Sequence, residues 1–357
     1  MADLMSGSST YEALAKKYKD FLVPAYKIKV RGNDLVSSLK LAVEELSVAL
    51  SLDAANSCSF TIVNAYDRKA GAFSSEVKTQ LKLGTVLDVE IGYGSNTTKV
   101  FKGYVSELSY DFRDLPTIAV TALDVRRLMM DGAARMLIHS VQSYSDAFVE
   151  VMKRYQKICT SMVIDKTDKN LPKVTQAASD YDFVTKELAV KANREFFVLA
   201  DKVYFRTPHK VQDAVTTLEW GKGLMSFSRN VMYNNTAVKV YGYNELKKEV
   251  LVGEAKSKSD DAQVDVISET QPTILHQPDA QEISQVNERA ESEVKKKKKK
   301  TQGGSGTCIG LPEIVPGRFL ELKKLDSTLD NKYYVKSVSH SLGSDGFTTK
   351  FTIGGWK

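Results

Sequence analysis

The sequence predicts a mainly β, α+β chain: two β-barrels, a small α/β insert between them, and a loop and helix spliced into the second barrel. Three observations carry this expectation. Strand-length runs with period-two alternation recur over residues 25–135, over 209–254 and again over 305–357. Residues 136–208 switch to the 3.6-residue period of amphipathic helices. From Asn244 to Arg318 there is no Phe, Tyr or Trp, in a chain that is 9% aromatic, so this stretch is poor in core-building residues. A chain of 357 residues has room for two or three such domains.

Residues 1–24 read as an N-terminal arm and helix. Ser9-Thr10-Tyr11-Glu12 is a capping box, opening a helix to about Tyr18 that Pro24 stops. Residues 25–135 read as the first barrel. Its strands are Tyr26 to Val30, Glu45 to Leu52, Cys58 to Asn64, Thr85 to Tyr93, Lys99 to Phe112 and Ile118 to Leu123, the last two separated by Pro116. In the fourth, Leu87, Val89, Ile91 and Tyr93 alternate with polar neighbours and predict a half-buried strand. In the fifth, Tyr104, Leu108, Tyr110 and Phe112 are expected to share one face. About six strands with short turns imply a closed or nearly closed barrel.

Residues 136–208 predict the α/β insert. Ser143 and Asp146 cap a helix whose Phe148, Val151, Met152, Tyr155 and Ile158 fall on one face. A second helix starts near Asp180, carries Tyr181, Val184 and Leu188, and ends around Asn193; Phe196 to Phe205 reads as one strand. Residues 209–254 return to strands, with a turn at Leu218 to Gly223, a strand at Leu224 to Tyr233, and Val238 and Val240 alternating with Lys239 and Tyr241. They hold about half a barrel. The other half must come from 305–357, where Ser344-Asp345-Gly346 supplies a hairpin turn and Phe347, Thr349, Phe351 and Ile353 share a face. In between, 255–304 reads as a loop with disorder near 256–275, then a surface helix with Ile283, Val286 and Ala290 running into Lys295–Lys300. Thr301 to Gly306 closes it as a flexible joint. This insertion is expected to bury little of the core.

Composition excludes several classes. Hydrophobic residues at 42% and charged residues at 26% are ordinary for a soluble protein, and no apolar run approaches the ~20 residues of a membrane span. The N-terminus lacks the basic and apolar regions of a signal peptide. Cys58, Cys159 and Cys308 are an odd, scattered three, which fits a reducing cytoplasm better than disulfide stapling. The net charge of +6 equals the run Lys295–Lys300. That run has three readings: a solvated helix end, a surface meeting an acidic partner or a tube lumen, or weak contact with nucleic acid. The last lacks the interleaved aromatics that nucleic-acid grooves use.

No residues are assigned catalytic, cofactor-binding or metal-binding roles. His139, His209, His276 and His340 have no ligand partner at metal spacing. Gly92-Tyr93-Gly94 is a tight turn, because no helix follows it to make a phosphate loop. Asp180 and Asp182 fit a helix N-terminus better than acid/base catalysis, and Cys58 sits in a strand.

The motifs resemble one family. "G-L-P-E-I-V-P-G-R-F" from Gly310, "Y-V-K-S-V-S-H-S" from Tyr334 and "D-G-F-T-T-K-F" from Asp345 look like the close of the phage late control D proteins. These are the central baseplate hubs of contractile tails and injection systems, similar to the N-terminal half of VgrG. "G-T-V-L-D-V-E-I-G-Y" from Gly84 and "V-F-K-G-Y-V-S-E-L" from Val100 fit the same pattern. The resemblance implies tail-tube-like barrels and a non-enzymatic, structural homotrimer that joins spike to inner tube. It implies assembly with a separate spike protein, an inner tube or tube-initiator protein and baseplate wedge proteins, in a phage tail or injection particle made in the bacterial cytoplasm. His340 stands where the family has a histidine, read here as structural. Two other classes stay open, a tail-associated hydrolase and a carbohydrate- or nucleic-acid-binding barrel.

Overall fold

Two six-stranded barrels with one strand order make up most of the chain. The computed structural model describes residues 4–168, 174–231, 236–244, 247–256, 271–278, 280 and 282–354. The chain divides into two units, Met1–Ser226 with Gly306–Phe351, and Phe227–Ser305 with Thr352–Lys357.

In the first unit Thr10 caps α1 (Tyr11–Lys17), its hydroxyl accepting from the Ala13 N–H. The first barrel follows: β1 (Pro24–Val30), β2 (Ala42–Ser51), β3 (Ser57–Val63), β4 (Val86–Tyr93), β5 (Asn96–Asp111) and β6 (Thr117–Leu123). They pair antiparallel in the order β1-β4-β5-β6-β3-β2. Leu87, Val89, Ile91 and Tyr93 fill the core as their alternation predicts, with Ile28, Val48, Phe60 and Val120. β1 and β2 do not pair; the Tyr26 hydroxyl donates to the Val43 carbonyl across the gap at 2.7 Å.

β5 departs from expectation. Its buried residues are Val100, Phe101, Gly103 and Val105, while Tyr110 and Phe112 are 54% and 62% exposed. Register shifts opposite Val89/Glu90 and between Val105 and Glu107 break the period of two, so one face cannot be read through the strand. The sequence pattern also does not reveal a short hairpin (Tyr66–Asp67 with Ala72–Phe73) and two helices, α2 (Ser75–Gln80) and α3 (Val125–Asp131).

The insert holds β7 (Leu137–His139), α4 (Tyr144–Met152), β8 (Ser161–Ile164), β9 (Val174–Gln176) and α5, a helical run over 180–191 with a π segment at Phe183–Leu188. Ser143 caps α4 and Ser179 caps α5. Phe148, Val151, Met152, Val184 and Leu188 form the core that the helical spacing predicts. The single strand expected at Phe196 to Phe205 is a hairpin, β10 (Glu195–Leu199) and β11 (Lys202–Arg206), turning at Ala200, where φ is +52°. β8 pairs parallel with β11.

The second barrel begins with β12 (Ala214–Trp220) and β13 (Gly223–Val231). Beyond β14 (Ala237–Asn244), β15 (Glu249–Lys256), β16 (Thr273–Gln277) and α6 (Ile283–Thr301), it resumes with β17 (Gln302–Ile309), β18 (Phe319–Lys323), β19 (Asn331–Gly343) and β20 (Gly346–Ile353). The ladder β12-β18-β19-β20-β17-β13 returns to β12 and closes. Counted in chain order within each barrel, both barrels therefore run 1-4-5-6-3-2. Phe347, Thr349, Phe351 and Ile353 are buried, as their alternation predicts. β19 also joins the barrels: Asn331–Tyr334 pair with β18, and Ser337–Leu342 pair antiparallel with β2.

Thr301 to Gly306 is no flexible joint. Its glycines lie in β17, where a Cβ on Gly306 would stand 2.5 Å from the Phe351 ring and 2.8 Å from the Ser226 carbonyl. Glycine is there because a strand and an aromatic ring pass too close for a side chain.

Val238 and Val240 also fall outside the second barrel. They belong to the second unit, in a three-stranded sheet ordered β15-β14-β16. Nor is α6 a mere surface helix: its Val286, Ala290 and Val294 pack on Val238, Val240 and Ala280 to make a separate small core. Aliphatic residues at helical spacing suffice for this without any aromatic. The disorder expected near 256–275 lies outside the described residues over 257–270, and Thr273–Gln277 is strand.

Candidate interaction surfaces

The polar groups that look most like chemistry are tied into the framework. Asp124, Arg126 and Asn56 are fully buried where the first barrel meets the insert. Arg126 donates to the Asp124 carboxylate at 2.8 and 3.0 Å, to the Asn56 carbonyl oxygen at 2.6 Å and to the Ser51 carbonyl at 2.9 Å. Asn56 donates through Nδ2 to the Val198 carbonyl, joining β10 to the barrel. Every charge in this cluster has a partner, which is the condition for burying it.

Asp180 is likewise a node of the insert. It accepts from Tyr155 at 2.6 Å and from Arg154 and Gln176 at 2.7 Å. Burial presses its carboxyl upward, but the bonds from Tyr155, Gln176 and Arg154 win and hold it below the usual range. Gln176 also meets His139 Nε2 at 3.1 Å, and His139 Nδ1 meets Glu150 at 2.9 Å. These contacts form one continuous chain from Glu150 through His139 and Gln176 to Asp180. Asp182 is separate and pairs with Lys186.

The other residues singled out in the sequence are dispersed. His340 is buried between the faces of the second barrel, its Nδ1 2.9 Å from the Thr349 hydroxyl, which in turn accepts from the Leu311 N–H. Burial drives the ring down to about 3, against a backbone contact with Ile314 that favours the charged form. His209 leans on Tyr334, and His276 lies beside Tyr241 on the second unit's sheet. Burial pushes the thiols of Cys58 and Cys308 far up and that of Cys159 to about 12, so none is an activated nucleophile. Among the described residues no group of three or more His, Cys, Asp or Glu side chains is placed to hold a metal.

What remains is surface. A groove of about 490 Å³ between Ser8–Glu12 and β12/β18 is lined by polar residues, among them Thr216, Glu321 and Lys332. The Lys222–Glu12 pair crosses it, and the arm that forms one wall is anchored where Arg318 donates to the Leu4 and Gly7 carbonyls. The far end of β5 presents an aromatic cluster of Tyr66, Phe73, Tyr110 and Phe112 in edge-on and tilted contacts of 5.0–5.7 Å. Among the described residues, two ladders of the barrels stop partway along a strand. Pairing of β5 with β4 ends at Val105, and pairing of β13 with β12 ends at Leu224. Sequence reasoning finds neither end point, since where a ladder stops is a property of topology. The one local signal is the aromatic pair at Tyr110 and Phe112.

Solved structures share this fold. A tail protein from Neisseria meningitidis MC58 superposes with a TM-score of 0.71 at 13% identity, covering 93% of this chain and 97% of its own. The 43 kDa tail protein of prophage MuSo2 from Shewanella oneidensis gives 0.69 at 14% identity, with 92% and 98% covered. An E. coli component of the type VI secretion system, similar in structure to T4 bacteriophage tail proteins, gives 0.55 at 12% identity, with 93% and 77% covered. At these identities the likeness establishes the fold, one shared with phage tail proteins and a type VI secretion component. No curated protein sequence matches. The matching family model is not a late control D model, so that part of the motif resemblance is corrected at the level of family. With residues 21–344 matched, the chain belongs to the family described as the Alg8 N-terminal domain.

Proposed function

We propose that the protein is a structural baseplate hub of a contractile tail or injection system, non-enzymatic, with three copies forming a ring between the central spike and the hexameric inner tube. The observation that carries this reading is the duplicated barrel. Two barrels of one strand order in each chain give six related units when three chains close a ring, which matches a threefold spike to a sixfold tube. The tail-protein fold over nearly the whole chain supports it. The partners are then a spike protein, an inner tube or tube-initiator protein and baseplate wedge proteins. Nucleic acid makes at most weak contact in the lumen. Phage tail, tailocin and extracellular injection particle are equally served by this geometry.

Mass measurement by light scattering on the hub assembled with its spike is expected to give three copies of this chain. Two or six copies would refute the symmetry-matching role.

A further inference from the structure

The groove of about 490 Å³ between the N-terminal arm and the second barrel has the dimensions of a binding site. Small-molecule pockets span roughly 300–1,000 Å³. Its arm wall is pinned, with the Ser9 N–H donating to the Val215 carbonyl at 2.9 Å and the Ser8 hydroxyl to the Ala214 carbonyl at 2.7 Å. Its floor is the outer face of β12, β18 and β19, where Thr217, Glu321 and Lys332 stand opposite one another across the strands.

The lining narrows the ligand. Among the described residues no Leu, Ile, Val or Met lines the groove, and Tyr11 supplies its one aromatic ring. An apolar guest would leave the polar walls unpaired. Carboxylates and lysines stand side by side and largely neutralise one another. Glu12 pairs with Lys222 at 2.5 Å, Glu219 pairs with Lys324 at 2.6 Å, and Glu321 lies 3.5 Å from Lys323. A guest with charge of one sign would therefore meet its own sign along the floor. Three groups keep unused capacity. Asp213 and Lys332 are exposed, and neither side chain has an ion pair or hydrogen bond among the described residues. Thr216 is 2% exposed at the register shift between Ala214 and Thr217, and its hydroxyl has no partner among the described residues. The groove thus offers an acceptor, a donor and a group that is both. A ligand hydroxyl answers all three, donating to Asp213 and accepting from Lys332.

We infer that this groove binds a neutral, hydroxyl-rich oligosaccharide, held by Asp213, Lys332 and Thr216, with the apolar face of a sugar ring against Tyr11. The Glu12–Lys222 pair that crosses the groove is exposed on both sides, at 68% and 49%, so it contributes little and opens readily for the ligand. The site lies within one chain and does not depend on how many copies close a ring.

The test is binding of the full chain to a microarray of neutral oligosaccharides. Affinities of the retained glycans are then measured by titration calorimetry, with triglycine as a zwitterionic, peptide-like control. At least one glycan is expected to bind. Asp213→Ala and Lys332→Ala, both surface changes, are each expected to weaken it about tenfold, the loss of one charge-assisted hydrogen bond, with the melting temperature unchanged. Thr216→Val removes the buried hydroxyl at nearly constant shape and is expected to weaken the same glycan without unfolding the chain. Retention of no glycan overturns the inference. A glycan whose affinity is the same in all three variants binds elsewhere and overturns the site. Binding of triglycine without any glycan overturns the saccharide in favour of a peptide terminus.

Discussion

Acidification is expected to act on the second barrel through the buried imidazole of His340. His340 is fully buried and its folded pKa falls from 6.5 to about 3, because the charged ring would have to leave water. Thr349 gives it one hydroxyl partner, and Nε2 finds no hydrogen-bond partner among the described residues. The group binds its proton more tightly in the unfolded chain than in the folded one. Its contribution is therefore fully present above pH about 6.5 and is lost as pH falls below that value. Between the two pKa values each pH step of one is worth about 1.4 kcal/mol. The fall from 6.5 to pH 5 therefore removes about 2 kcal/mol, approaching 5 kcal/mol near pH 3. The quantity to read is a difference between two proteins, which cancels protonation elsewhere in the chain. Urea unfolding of the native chain and of His340→Gln, at pH 7.5 and pH 5.0, is expected to show a pH loss about 2 kcal/mol larger in the native chain. Equal losses in the two proteins would refute the claim that this ring is held neutral by burial.

Four further outcomes are expected. Gly306→Ala forces a methyl onto the Phe351 ring and is expected to cost about 1–3 kcal/mol in chemical unfolding, whereas Gly303→Ala, which meets open space, is expected to be close to neutral. Asp124→Asn leaves the buried Arg126 guanidinium without its carboxylate and is expected to lower stability by about 3–5 kcal/mol, read as a fall in the denaturant midpoint. Replacing Lys295–Lys300 by mixed polar residues is expected to shift stability by no more than about 0.5 kcal/mol per substitution. Val286→Ala, which empties part of the small α6 core, is expected to destabilise the second unit by about 2 kcal/mol.

Where one face of a strand is wholly buried, its sequence announces it. β4 and β20 alternate without interruption, and the alternation alone identifies their core residues. β5 defeats the same reading because two register shifts change which residues face inward partway along. The glycines of β17 look like a hinge by composition, and only the approach of Phe351 gives Gly306 its reason. Val238 and Val240 are legible as strand but not as members of a particular sheet, since alternation encodes a face and not a neighbour. The candidate surface is the least legible feature. Pairing of β5 with β4 ends at Val105 and pairing of β13 with β12 ends at Leu224, and no local pattern encodes where a ladder stops.

The shared strand β19 also bears on how the chain is made. β2 emerges early in synthesis, but the strand that covers its edge begins only at Asn331, after nearly all the rest of the chain. Pairings this distant in sequence form slowly. Until β19 arrives, the nascent first barrel carries an uncovered edge beside Val48 and Leu50, and the second barrel lacks the strand that closes it. The elements that fold on nearby residues, the insert and the α6 sheet, are complete long before. The late strand thus sets both the pace of folding and the interval in which unfinished chains are prone to stick to one another.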